Sequence, residues 1–319
     1  MNPQLQSVYQ ILVHGQNANS YKFALLRALV DIRRASGTDI EVVSREALAE
    51  RFVEYYWPLA TLYRVRQSID PAKGPVVMRY IDALVNRGVT RPRQKVADFS
   101  RRHAQEYRAL VQTVAKTAFG DVIPRFHNVR GQAVNPRLFA ETREGLALAK
   151  GASLFLAEHA DLLRFMAIAA WVKFTEDYTA SPRLFAKIAD QPPARRTVKY
   201  RVALRSVEEH GCFYCRGASE QFAVDHVIPW SYVLEDKAWN LVLACTSCNS
   251  AKSDGLPEEL MLERLKQRNV AWSARAGSLP DRIGRDLREW ESAERVNEHL
   301  QTTWEQARQD GFPVWGGAR

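Results

Sequence analysis

The sequence predicts a mainly α protein with one small α+β module, preceded by a helical amino-terminal domain over residues 1–190 and followed by a helical tail over 261–319. Three observations carry that prediction. Apolar residues recur at helical spacing through most of the chain. All four cysteines fall in two C-x-x-C pairs, Cys212 with Cys215 and Cys245 with Cys248. Between the long helical stretch and the cysteines stand Pro192 and Pro193, which lack backbone donors and bias the residue before them away from helix, so a new unit is expected there and the module is set at 195–260.

In chain order, residues 20–34 carry apolar side chains at 23, 26, 29 and 30 behind Asn19 and Ser20 as candidate caps, the pattern of an amphipathic helix. Residues 39–43 fit a short strand or an extended connection. A second helix follows Ser44 with Leu48, Phe52 and Tyr56 on one stripe, and Pro58 is expected to interrupt it. Further helices are expected at 74–86 and 96–118, then a hairpin or irregular loop at 120–136, where β-branched residues and turn formers replace the 3.6 period. Helix is expected again at 136–150, and a long apolar helix at 153–178, with Phe155, Leu162, Phe165 and Trp171 as core. Beyond the cysteines, 257–267 and 280–309 read as helices rich in Glu-Arg spacings, and the Gly-Phe-Pro-Val-Trp-Gly-Gly tail reads as irregular.

With 46% hydrophobic and 25% charged residues among 319, the composition is that of a folded globular chain, not a disordered or fibrous one. The uncharged apolar stretch at 165–172 is far short of a membrane span. The start, Met1-Asn2-Pro3-Gln4, lacks the basic and apolar regions of a secretion signal, so a cytoplasmic location is expected. The formal charge of +9 favours a polyanionic partner, because neutralising phosphates releases counterions. The basic stretch Arg87, Arg91, Arg93, Lys95, Arg101 and Arg102 fits either a DNA-contacting face or a solvated surface.

In a reducing compartment two C-x-x-C pairs suit a metal better than disulfides. Each tight turn presents two thiolates, and four sulfurs complete the tetrahedral shell of Zn²⁺. A closed shell leaves no position for water, so the expected role of that zinc is structural. His210, two residues before Cys212, is then surplus to the shell.

Around the pairs run Phe222-Ala-Val-Asp225-His226-Val-Ile-Pro229-Trp-Ser231, then Trp239-Asn240-Leu-Val-Leu-Ala-Cys245, then Cys248-Asn249-Ser-Ala-Lys252. Over roughly 50 residues this order resembles the HNH endonuclease family: a C-x-x-C, an acid beside a histidine ahead of a proline, an asparagine opening an apolar strand, and a second C-x-x-C leading into Asn or His and a Lys. The resemblance implies a ββα-metal nuclease module with four-cysteine zinc knuckles that hydrolyses nucleic acid, DNA in the first instance, leaving a 5′ phosphate. His226 fits the general base, since an imidazole is largely neutral near physiological pH. Asp225 and Asn249 fit oxygen ligands of a catalytic Mg²⁺ or Mn²⁺, with Asn249 standing where the family also uses His. Asn240 resembles the middle asparagine that holds the loop and orients the imidazole. Lys252, Arg201 and Arg205, together with Arg195 and Arg196, are candidates to grip phosphates.

Singly, each of these residues has a plainer role: Asn240 a turn residue, Asn249 a helix cap, Lys252 a solvated charge. Their joint order is what sets them apart. A non-catalytic zinc module that binds nucleic acid or a partner is the competing reading, and the amino-terminal domain is open to a ligand, a protein partner or dimerisation. By analogy of architecture, a helical extension on such a module resembles restriction or phage-defence effectors.

Overall fold

The computed structural model describes residues 2–208, 211–219 and 221–317. The chain divides into two compact units, one of residues 1–179 with 184–191 and one of residues 180–183 with 192–319.

The first unit is built around the helix Tyr21–Ser36, in which every residue from Tyr21 to Val30 is buried, Lys22 and Arg27 included. It is therefore enclosed on all sides and not amphipathic over that stretch. Arg27 is accommodated by donating to the carbonyls of Ile188 at 2.7 Å and Ala189 at 3.4 Å. The helices Arg45–Thr61, Ala152–Glu158 and Ala160–Glu176 pack against it. Pro58 lies inside Arg45–Thr61 and does not interrupt it. Only the bond to the Glu54 carbonyl is forgone, while Phe52, Tyr56, Trp57 and Leu59 are buried on either side of that point.

Several sequence expectations change in this unit. Residues 96–118 form two helices, Val96–Arg102 and Ala104–Thr117, and the long apolar stretch also divides, into Ala152–Glu158 and Ala160–Glu176. Each break falls on a histidine, His103 or His159, whose ring packs on a phenylalanine one turn earlier. Phe155 and Trp171 are core, but Leu162 and Phe165 are 46% and 58% exposed, because the buried stripe of their helix runs through Leu163, Ala167, Ile168, Trp171 and Thr175. The helix expected at 136–150 is instead a hairpin, Phe139–Glu141 with Gly145–Leu148, extended by Val42–Ser44 into an antiparallel sheet. Gly145 permits it: its φ is +147°, and a Cβ there would stand 2.2 Å from the Val43 carbonyl oxygen. The strand that fixes this choice lies a hundred residues away in sequence, beyond the reach of a local pattern.

The second unit has a single core. Tyr200, Leu204, Val227, Ile228, Tyr232, Trp239, Leu241 and Val242 share it with Leu262, Leu265, Trp272, Ile283, Leu287, Val296, Leu300 and Trp304. The latter set comes from the helices Glu259–Ser273, Asp281–Arg288 and Ala293–Gln309. The tail is not wholly irregular: Val314–Trp315 pairs in parallel with Leu256–Pro257. Gly255 allows that approach, since a Cβ at this position would meet the Trp315 Cβ at 2.8 Å. No helix among the described residues is long and apolar enough to cross a membrane.

Candidate active site and metal knuckles

Phe222–His226 and Leu241–Cys245 form a two-stranded antiparallel ribbon in which His226 faces Leu241 and Phe222 faces Cys245. The helix Thr246–Lys252 follows at once and packs on both strands. At the ribbon's cysteine end, the first knuckle is tied in by Phe213 N–H donating to the Leu243 carbonyl at 2.9 Å. Cys245 caps the helix through its sulfur, which accepts from the Cys248 N–H at 3.5 Å. These ties bring the sulfurs of Cys212, Cys215, Cys245 and Cys248 within 4.8 Å of one another. A tetrahedral Zn²⁺ with bonds of about 2.3 Å needs sulfurs about 3.8 Å apart, close to the 4.0 Å between Cys215 and Cys245. The donor set fits zinc. His210 lies outside the described residues.

At the other end of the ribbon, Asp225 and His226 are both buried, and strand alternation sends their side chains to different partners. The Asp225 carboxylate accepts from the Tyr214 hydroxyl at 2.6 Å and pairs with the Lys252 ammonium at 3.1 Å, both through Oδ2. Burial and the adjoining Asp225 charge push the Tyr214 phenol far above its ordinary range, so it remains a donor. Lys252 also donates to the His226 carbonyl at 2.6 Å and is 2% exposed. Its ammonium is thus committed inside the fold and does not face solvent.

His226 Nε2 lies 2.8 Å from Asp236 Oδ1. Asp236 Oδ2 accepts from the Arg196 N–H. Burial alone raises the Asp236 pKa, but the hydrogen bonds from His226 and Arg196 outweigh it and hold the carboxyl below its usual range. With Nε2 directed to a carboxylate, Nδ1 is the nitrogen left to act as a base.

Asn240 is fully buried and works as a substitute strand partner directly after His226. Its Oδ1 accepts from Ile228 N–H at 2.8 Å, its Nδ2 donates to the Ile228 carbonyl at 2.9 Å, and its own carbonyl accepts from Val227 N–H at 2.9 Å. Asn249 stands one turn before Lys252 on the same helix face, half-buried, with no side-chain hydrogen bond among the described residues. Asp225 Oδ1 likewise carries no hydrogen bond among them. Two hard oxygen donors on adjoining elements suit Mg²⁺ or Mn²⁺.

Arg201 and Arg205 are exposed on the helix Val198–Arg205, and Arg196 and Arg195 precede it, the latter stacked over Trp230 at 4.3 Å. The residues that sequence reasoning missed are Tyr214 and Asp236. Tyr214 occupies a variable position inside a C-x-x-C, and Asp236 lies in a loop ten residues beyond His226, where no short motif marks it.

Residues 217–258 match the family described as HNH endonuclease, and residues 2–119 match a family described as a domain of unknown function (DUF8808). Neither a curated protein nor a solved structure matches the chain.

Proposed function

We propose that the second unit is a metal-dependent endonuclease that hydrolyses phosphodiester bonds of DNA, with His226 as general base. The observation that carries this reading is the orientation of His226, whose Nε2 is held by Asp236 at 2.8 Å at the end of a ribbon braced by four thiols. In the proposed step Nδ1 takes a proton from water as it attacks phosphorus, and Asp236 stabilises the imidazolium that results. Asn240 holds residues 227 and 228 so that the ring keeps its direction. Tyr214 and Lys252 fix Oδ2 of Asp225, leaving Oδ1 and the Asn249 amide oxygen as the protein's ligands for a divalent cation. When bound, that cation offsets charge on the phosphate and the leaving 3′ oxygen. Arg201 and Arg205, exposed on the helix Val198–Arg205, are the proposed contacts to flanking phosphates, and the knuckle zinc has a structural role in this reading.

The test is a plasmid-nicking assay with Mg²⁺ supplied or withheld. His226→Ala is expected to abolish cleavage while folding and zinc content stay as in the parent. Retained Mg²⁺-dependent cleavage by this variant refutes the assignment.

A second reading has one specific observation in its favour. The Lys252 ammonium already balances the Asp225 charge, as it would in a zinc module that only binds nucleic acid or a protein partner. Under that reading the parent protein shifts DNA in a gel but never nicks it with Mg²⁺. For the biological setting we carry the architectural analogy to cytoplasmic restriction or phage-defence effectors. Equal plaque counts on cells with and without the protein and its neighbouring genes would remove it.

A further inference from the structure

A cavity of about 280 Å³ opens beside the first knuckle, lined by Glu208, Gly211, Phe213, Arg216, Arg264, Gln267, Arg268 and Trp272 among others. It is separate from the Asp225 and His226 end of the ribbon. Three guanidinium groups meet here against one carboxylate among the described residues. That carboxylate, Glu208, is already engaged, accepting from Arg268 at 3.1 Å and from the Leu243 N–H at 3.1 Å. Arg268 is fixed by the carbonyls of Leu241 and Ala238 and stacked on Trp272 at 4.1 Å, yet its buried Nε has no hydrogen-bond partner. Arg264 lies over Phe213 and donates to its carbonyl at 2.8 Å, with no acid beside it among the described residues. Burial and the neighbouring Arg216 charge both push the Arg264 pKa down. Arg216 itself, at φ +62° in the turn that closes on Gly211, has no ion pair among the described residues.

We propose that this cavity is a phosphate-binding site, in which Arg216 and Arg264 grip the anion and the enclosed Arg268 adds positive charge behind them. Planar guanidinium groups pair with phosphate through two parallel hydrogen bonds, and here the bond to the Phe213 carbonyl holds Arg264 in place before any ligand arrives. The Gln267 amide offers a further donor at the rim. The phosphate can come from the backbone of a nucleic-acid strand or from free phosphate. The strand source rests on the nuclease reading above, whereas the site's chemistry does not.

The experiment uses the full-length zinc-loaded His226→Ala protein, so that binding is read without cleavage. A short labelled duplex is titrated by fluorescence anisotropy at several KCl concentrations, with Arg216→Ala and Arg264→Gln introduced separately; the glutamine keeps a donor for the Phe213 carbonyl. Zinc content is measured for each variant. A backbone phosphate in the site predicts about fivefold weaker binding and a slope of log affinity against log salt reduced by about one for each arginine removed. Free phosphate as the source predicts an unchanged slope, together with a melting temperature that inorganic phosphate raises in the parent and not in the variants. If neither the slope nor the phosphate response changes in zinc-replete Arg216→Ala and Arg264→Gln, the site does not exist. A parent enzyme that binds DNA through these arginines but never cleaves it would overturn the nuclease reading and leave the site standing.

Discussion

Asp225 and Lys252 form an ion pair in which the lysine side chain is wholly enclosed, so removing either charge strands the other. Lys252→Met is expected to destabilise the second unit by about 3 kcal/mol, read from the denaturant midpoint. A solvated lysine, the plainer of the two readings of this position, would give a change within about 0.5 kcal/mol. Asp236 belongs to the same scale and acts through His226, as a positioning residue. Asp236→Asn leaves a hydrogen-bonding side chain in place but no longer enforces the Nε2–H tautomer. We expect cleavage to fall by about 100-fold with little change in KM or in melting temperature. An equal loss of stability and activity would instead mark Asp236 as merely structural. Neither partnership was legible in sequence, because each joins residues that only the ribbon and its following helix bring together. The cysteine cluster was legible, because a four-thiolate metal shell demands paired cysteines at that spacing.

The ribbon is packed into the single core of its unit, bonds such as Arg264 to the Phe213 carbonyl and Arg268 to the Leu241 carbonyl add to that packing, and the four sulfurs stand together at its cysteine end. Zinc binding of the order of 10 kcal/mol therefore becomes folding free energy for this element. Cys215→Ser is expected to lose stoichiometric zinc, measured by mass spectrometry under native conditions, and to lower the melting temperature of the second unit by more than about 10 °C. Cys215 is the exposed cysteine of the set, so the loss cannot be assigned to a cavity left in the core. A serine variant with unchanged stability would show that the thiols do not share a metal. Helices whose apolar stripes are long were readable as elements. The hairpin Phe139–Glu141 with Gly145–Leu148 was not, since its register depends on a distant strand and on a glycine backbone whose φ a sequence does not display.

On the scale of the whole molecule, two cores in two units predict two separable stability responses. In the first unit, burial, with Arg137 and Lys22 adding to it, lowers the His127 pKa from 6.5 to about 4, and Nε2 accepts from the Leu138 N–H at 2.9 Å. The unfolded chain binds a proton here that the folded one refuses, so the contribution is complete above pH 6.5, falls as the pH drops and is gone near pH 4. Allowing for partial solvent screening, it amounts to about 2 kcal/mol. Calorimetry should show one transition that moves down between neutral and acid pH and loses that shift in His127→Phe, and another that moves when a zinc chelator is added. A single transition answering to both treatments would contradict independent cores. The sequence by itself determined the helical class, the thiol pairs and the acid–histidine–asparagine order, because these are set by periodicity and ligand valence over short spans. Only the tertiary structure decided that Lys252 is an internal counter-ion, that Asp236 bonds His226, that three arginines converge beside the knuckle, and that Val314–Trp315 closes a strand pair. Those are contacts between distant segments, and local sequence carries no record of which distant groups a fold will place within a few ångströms.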